Sequence, residues 1–334
     1  MVRVNERVLV TGAAGFIGSA IAARLVRDRQ TQVVGIDSFT HNDPTVYPRW
    51  IKEANLARLQ LTNAPNFSLL EEDLLRADLP HLVREDQGFQ YIVHQAATAG
   101  VRASWGEDFT QFYVPNNISA TQRLLEAAVG LQGLRRFVYA SSSSVYGIAG
   151  GSLNEEQPCL PYSPYGLTKY AAELLCRGAY QRNFGVPTVS LRYFSVYGPG
   201  HRPDMAFHQL IRAAYTGERF VAHLGGHERD FTYVGDVVTA NVLAMRAPQS
   251  TVVGKVYNVG GGQPVTLDHV IGLVKRLTRR EINLDWIDNP PGNVTRTEAD
   301  LTLARQDLGY TPQTNIEDGL RQEVQYIREL YRLK

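Results

Sequence analysis

The chain of 334 residues is poor in sulfur and indole: it has two cysteines, three methionines and three tryptophans. Two thiols, Cys159 and Cys176, cannot build a disulfide framework, and no metal-ligand spacing surrounds them. That usage fits a reducing compartment, so a cytoplasmic protein without a bound metal is expected. An excess of one charge is also missing. Thirty-four basic and 33 acidic side chains leave a formal net charge of +1. No global field draws the chain to nucleic acid or to an anionic membrane, and there is no basic stripe. Long apolar runs are absent too. Val8-Leu9-Val10 breaks at Thr11-Gly12, too short for an export signal core or a membrane span.

What the chain does have is alternation. Arg7–Val10, Gln32–Ile36, Gln90–His94 and Arg136–Ala140 read as buried strands. Between them Ile17–Arg27, Ile51–Leu61, Leu79–Glu85 and Ile118–Val129 read as helices. Strict alternation implies an α/β fold: a doubly wound parallel sheet of Rossmann type, with helices on both faces. Residues 1–185 are expected to form this domain, with segments near 186–195 and 231–260 returning to it. Residues 196–334 are then mostly a smaller, interleaved α/β substrate lobe. There glycine and proline become dense, at Gly198-Pro199-Gly200, Gly225-Gly226, Gly260-Gly261-Gly262 and Pro290-Pro291-Gly292, with short helices over Met205–Thr216 and Leu267–Leu277.

The first strand runs into Thr11-Gly12-Ala13-Ala14-Gly15-Phe16-Ile17-Gly18, and a helix follows at once. Gly12 permits the tight turn, Gly15 lets the backbone approach a pyrophosphate, and Gly18 lets the helix pack on the strand. The helix start at Phe16 and Ile17 would aim unpaired N–H groups at the phosphates. A glycine triplet alone is weak, but Asp37 closes the second strand about twenty residues on. Its carboxylate suits ribose hydroxyls. Ser38 and Phe39 follow with no arginine to receive a 2′-phosphate, so NAD is expected over NADP.

Later, Ser163-Pro164-Tyr165-Gly166-Leu167-Thr168-Lys169 leads into a helix over Tyr170–Phe184. Tyr165 and Lys169 are four apart, so on a helix both project from one face. A free phenol titrates near ~10 and is a poor base at neutral pH. Bringing it to about 7 takes roughly 4 kcal/mol, which a lysine ammonium and a cationic nicotinamide close by could supply. Upstream, Ser141-Ser142-Ser143-Ser144-Val145-Tyr146-Gly147 follows a strand, at the edge where ligands bind open α/β sheets.

The GxxGxxG spacing followed by Tyr-x-x-x-Lys resembles the short-chain dehydrogenase/reductase superfamily. The length and second half resemble its extended branch, which handles nucleotide sugars. The resemblance implies further cofactor contacts: Asp73 and Leu74 beside adenine, Ala96 and Ala97 of His94-Gln95-Ala96-Ala97 under the nicotinamide ribose, and Asn116. It implies Ser142, Tyr165 and Lys169 as catalytic residues, with NAD tightly bound and recycled. The 191–206 segment, from Leu191-Arg192-Tyr193 to Arg202-Pro203-Asp204-Met205-Ala206, is similar to the UDP-glucuronate 4-epimerases. So are Ala99-Gly100-Val101-Arg102 and the serine run. In that family the residues matching Arg202, Ser143, Ser144 and Ser195 hold the C6 carboxylate, a use that suits a guanidinium fork and hydroxyl donors.

A UDP-sugar 4-epimerase acting through a transient 4-keto sugar is the implied function, with UDP-glucuronate the first substrate and UDP-glucose the alternative. Related dehydratases carry Asp-Glu, and decarboxylases an acid, where Ser143 and Ser144 stand here. That speaks against both reactions. A cofactor-binding sensor without turnover would typically lack the Tyr/Lys pair. Arg229 of Arg229-Asp230-Phe231 resembles the family's pyrophosphate arginine. Three departures stand out: Gly200-His201 replaces the usual Trp-Gly, Ser195 stands where the family usually has threonine, and Asn293 replaces a frequent aspartate. The resemblance also implies a homodimer through helices Ile118–Val129 and Ser163–Phe184.

Overall fold

The computed structural model describes residues 6–40, 47–85, 88–224, 226–288 and 296–334. Asn293, Pro290-Pro291-Gly292 and Gly225 lie outside the described residues. Seven strands form the main sheet, labelled in chain order: β1 (Glu6–Thr11), β2 (Thr31–Asp37), β3 (Phe67–Glu71), β4 (Tyr91–His94), β5 (Arg136–Ser142), β6 (Thr188–Tyr193) and β7 (Val256–Val259). Their spatial order is β3-β2-β1-β4-β5-β6-β7, and every pairing is parallel. The order reverses between β1 and β4. In an open α/β sheet that switch point opens a crevice at the carboxyl ends of the strands.

The interior strands are apolar runs because both faces are covered. Val8, Leu9, Val10, Val33, Ile92, Val93, Phe137, Val138, Val189 and Leu191 are all buried. One face packs on the helices Phe16–Leu25 and Val234–Arg246, the other on Leu79–Arg84 and Ala120–Ala128. β3 escapes the alternation read from sequence. It is a sheet edge with most of its side chains partly or fully exposed, so no buried run marks it.

Helix bounds shift in two places. The helix expected from Ile118 begins at Phe109, wound as a π-helix to Ser119 around Pro115, and continues as α-helix over Ala120–Ala128. A proline inside a helix lacks one N–H donor, and the wider turn accommodates that loss. The helix expected from Tyr170 begins at Pro164, with Pro164 at its first position and the Ser163 hydroxyl accepting from the Gly166 N–H at 3.1 Å. Tyr165 and Lys169 therefore stand in its first two turns.

The second half returns to the sheet through β6, β7 and the helix Val234–Arg246. A smaller sheet joins Pro264–Thr266, Glu228–Tyr233, Arg296–Ala299 and Gly151–Leu153, with Ser195–Tyr197 also on Glu228–Tyr233. Gly151–Leu153 thus pairs in this sheet although it lies in the first half of the chain. A separate core of Phe207, Leu210, Ile211, Val270, Val274, Leu320 and Ile327 packs the helices Ala206–Thr216, Leu267–Thr278 and Ile316–Tyr331 together. No described helix is long and apolar enough to cross a membrane.

Candidate active site

A cavity of about 500 Å³ opens over the carboxyl ends of the strands. At one end is the glycine turn. Gly12 has φ of 67°, and a Cβ there would come within 2.9 Å of the Ala96 nitrogen. A Cβ on Gly18 would collide with the Gly12 carbonyl oxygen. The helix Phe16–Leu25 has no side-chain cap at Gly15, so its first N–H groups face the cavity uncapped.

The acid at the end of β2 does more than await a ligand. Asp37 accepts from the Ala14 N–H at 3.0 Å and from the Phe39 N–H at 2.8 Å. Lys52 Nζ donates to it at 2.9 Å and to the Thr40 carbonyl at 3.1 Å. Both side chains are buried. Lys52 went unread in the sequence because its partner lies 15 residues away on another element. Bare glycine backbone, an uncapped helix start and an acid at ribose reach fit NAD, while Lys52 is already committed to Asp37.

His94 joins the glycine turn to β4. Its ring is fully buried, and burial, reinforced by the Lys169 charge, pushes its pKa down to about 3. The ring is therefore neutral. The Thr121 hydroxyl donates to the Asn117 carbonyl at 2.7 Å, so it accepts from His94 Nε2 at 2.9 Å. Nδ1 then accepts from the Thr11 hydroxyl at 2.7 Å, and that oxygen receives the N–H groups of Gln95 and Ala96. Asn116 lines the cavity and donates to Thr98 at 2.9 Å. Its neighbour Asn117 binds the Thr98 backbone twice and the Thr168 hydroxyl, tying this loop to the Tyr165 helix.

At the other end, Ser142 closes β5 and a short 3₁₀ turn, Ser143–Tyr146, follows. Ser142 Oγ accepts from the Ser144 N–H at 3.2 Å. A Cβ on Gly166 would stand 2.5 Å from the Ser144 carbonyl oxygen, so only glycine lets the Tyr165 helix approach this turn. Burial raises the Tyr165 pKa, against a hydrogen bond with Ser142 and the charge of Arg202. That differs from the expectation that Lys169 sets the phenol. Burial lowers Lys169 itself to about 7, against Cys176 and Glu173. Cys176 is held up as a neutral thiol by burial, so Glu173 is the standing negative charge. Glu173 lies one turn beyond Lys169 and accepts from Ser141 at 2.7 Å and from Arg192 at 3.0 and 2.7 Å. An acid at that helical spacing was a signal the sequence offered.

Arg202 enters from the second half of the chain. It donates to Asp204 at 3.0 and 2.6 Å and to the Ala99 carbonyl at 3.0 Å. Gly100, with φ of 131°, lets that loop pass close to the guanidinium. Asp204 was not read as a functional residue, since its partner sits only two residues away in a loop.

Of the residues singled out from sequence, the cavity brings together Gly12, Gly15, Phe16, Ile17, Gly18, Asp37, Ser38, Asp73, Leu74, Ala96, Ala97, Asn116, Ser142, Ser143, Ser144, Tyr165, Lys169, Ser195 and Arg202. Arg229 is not in its lining. It stands on Glu228–Tyr233, half-buried, and donates to the Glu228 carbonyl at 2.9 Å.

Residues 8–260 match the model of the NAD dependent epimerase/dehydratase family. The chain is 40% identical over 326 residues to a Bacillus subtilis protein described as the uncharacterized UDP-glucose epimerase YtcB, covering 97% of this chain and 99% of that one. It is 32% identical to UDP-glucuronate 4-epimerase 1 of Arabidopsis thaliana, covering 97% of this chain and 77% of the relative. Among solved structures, the UDP-glucuronic acid 4-epimerase of Bacillus cereus, in complex with UDP-glucuronic acid and NAD, superposes with a TM-score of 0.89. It is 39% identical, over 97% of this chain and all of that one. The chain thus belongs to the NAD dependent epimerase/dehydratase family, as an NAD-dependent enzyme of the nucleotide-sugar epimerase type.

Proposed function

We propose that this chain interconverts UDP-glucuronate and UDP-galacturonate by oxidation and re-reduction at C4. The observation that carries the reading is a single cavity holding a guanidinium, Arg202, with Tyr165 and the hydroxyls of Ser142, Ser143 and Ser144. Tyr165 takes the proton of the sugar 4-hydroxyl and later returns it, while Ser142 hydrogen-bonds the same oxygen. NAD, when bound, accepts the C4 hydride and gives it back. Burial adds to the roughly 4 kcal/mol needed to bring a phenol to neutral pH, and Ser142, Arg202 and a protonated Lys169 oppose it. Ser143 and Ser144 leave elimination without a general acid and base. Arg202, with Ser143, Ser144 and Ser195, holds the C6 carboxylate, which keeps it from aligning for loss as carbon dioxide.

One observation favours a neutral UDP-hexose instead. Asp204 already occupies two N–H groups of Arg202, and a sugar without a carboxylate would leave that pair undisturbed. Parallel incubations decide between them. With proton NMR readout, a kcat/KM for UDP-glucuronate well above that for UDP-glucose supports the uronate reading, and the reverse order assigns the neutral sugar.

We also place the enzyme in the cytoplasm, where Cys159 and Cys176 remain thiols. It works as a homodimer: on the helix Pro164–Leu174, Leu167 and Leu174 are 49% and 41% exposed two turns apart, an apolar stripe suited to a second copy. Sedimentation at micromolar concentration should give twice the monomer mass.

A further inference from the structure

His201 stands where the cavity meets the last helix. Its Nδ1 lies 2.9 Å from Glu323 Oε1, and the other carboxylate oxygen accepts from the Gly198 N–H at 3.0 Å. Glu323 is fully buried on Ile316–Tyr331, and His201 is 4% exposed. A carboxylate only accepts, so Nδ1 carries a proton. Nε2, on the opposite side of the ring, is buried without a hydrogen-bond partner. The ring lines the cavity and packs on Phe16 at a centroid distance of 5.0 Å, beside the uncapped start of the helix Phe16–Leu25. Gly200 allows this approach: with φ of 97°, it would put a Cβ 3.3 Å from the Phe16 ring.

A buried polar atom left unpaired is costly, and such atoms in a cavity wall are commonly satisfied by what the cavity binds. We propose that His201 Nε2 donates to an anionic oxygen of the bound ligand, with Glu323 on Nδ1 as the positioning residue. The buried Glu323 carboxylate at 2.9 Å is the natural counter-charge for an imidazolium, the form of the ring in which Nε2 is a donor. The oxygen belongs either to the dinucleotide pyrophosphate, next to Phe16, or to the sugar carboxylate, next to Arg202. This inference rests on the nucleotide-sugar reading only for the second source. It gives the C-terminal helix an indirect part, through His201, in holding the bound ligand.

The test uses His201→Phe, which keeps the packing on Phe16, and His201→Gln, whose amide can donate. NAD is titrated into protein freed of nucleotide, and KM for UDP-glucuronate is measured at saturating NAD. His201→Phe should weaken one of these about tenfold, as loss of a charge-assisted hydrogen bond does, and His201→Gln should recover part of it. A loss confined to NAD assigns the pyrophosphate, and a loss confined to KM assigns the carboxylate. If UDP-glucuronate is not turned over, the NAD titration and the melting shift caused by NAD still decide the cofactor contact. A merely structural role would lower the melting temperature of free and NAD-loaded protein equally. It would leave NAD affinity and KM within twofold of the parent, and that result overturns the proposal. Glu323→Gln, which keeps an acceptor for Gly198, should give a smaller loss in the same measurement as His201→Phe. An effect of Glu323→Gln on the other measurement alone would also contradict it.

Discussion

At the end of the cavity proposed for the cofactor, Asp37 gathers two backbone N–H groups and Lys52 within 3.0 Å, whereas at the end proposed for the sugar Arg202 is held by a neighbouring loop residue, Asp204, and one carbonyl. The first arrangement is made of main chain, glycines without room for a Cβ, and a buried ion pair. The second is made of side chains whose partners a ligand can replace. One end is a mould and the other a set of donors.

Breaking the chemistry between the two ends should give the largest effect. Tyr165→Phe is expected to lower kcat by about 10²–10⁴-fold, the span of general acid–base catalysis, with NAD affinity kept within a few-fold. NMR turnover and NAD titration together check it. A smaller effect should separate sugar from cofactor. Arg202→Met is expected to raise KM for UDP-glucuronate by about 10–100-fold, the worth of a lost charge-assisted hydrogen bond, and to leave KM for UDP-glucose nearly unchanged. Equal losses on both sugars would show that Arg202 only props the Ala99 loop.

The mould should resist even one added methyl group. Gly18→Ala forces a Cβ against the Gly12 carbonyl, and we expect a loss of about 1–3 kcal/mol by denaturant melting together with weakened NAD binding. Lys169 offers a subtler test, read from pH. Its folded pKa lies near 7, below its usual 10.5. Between these values the unfolded chain binds more protons, so the stability of the nucleotide-free protein should rise with pH. Lys169→Met should remove a rise on the order of 2 kcal/mol between pH 7 and 9.

The mould was also the more legible end. Gly12, Gly15, Gly18 and Asp37 are read directly because a tight turn, a close approach and a ribose acid each demand one residue type at a fixed spacing. Tyr165 and Lys169 are legible for a similar reason, as one helical face. Lys52, Glu323 and Arg192 were not, because a buried charge declares itself only through its partner. Those partners lie 15, 122 and 19 residues away. β3 was missed because an exposed edge strand leaves no apolar run. Arg229, read from resemblance alone, lies outside the cavity lining. His201 stands out in the sequence only as a departure from the usual Trp-Gly, and nothing nearby places Glu323 against its ring.

The central proposal is a C4 epimerisation of UDP-glucuronate in which the hydride leaves the sugar and returns to it. Its most direct test follows UDP-glucuronate in deuterated buffer by proton NMR, with NAD present below the substrate concentration. UDP-galacturonate retaining protium at C4, with no pentose product, is the predicted result. Deuterium at C4, a UDP-pentose, or no reaction of the uronate while UDP-glucose is converted would contradict it.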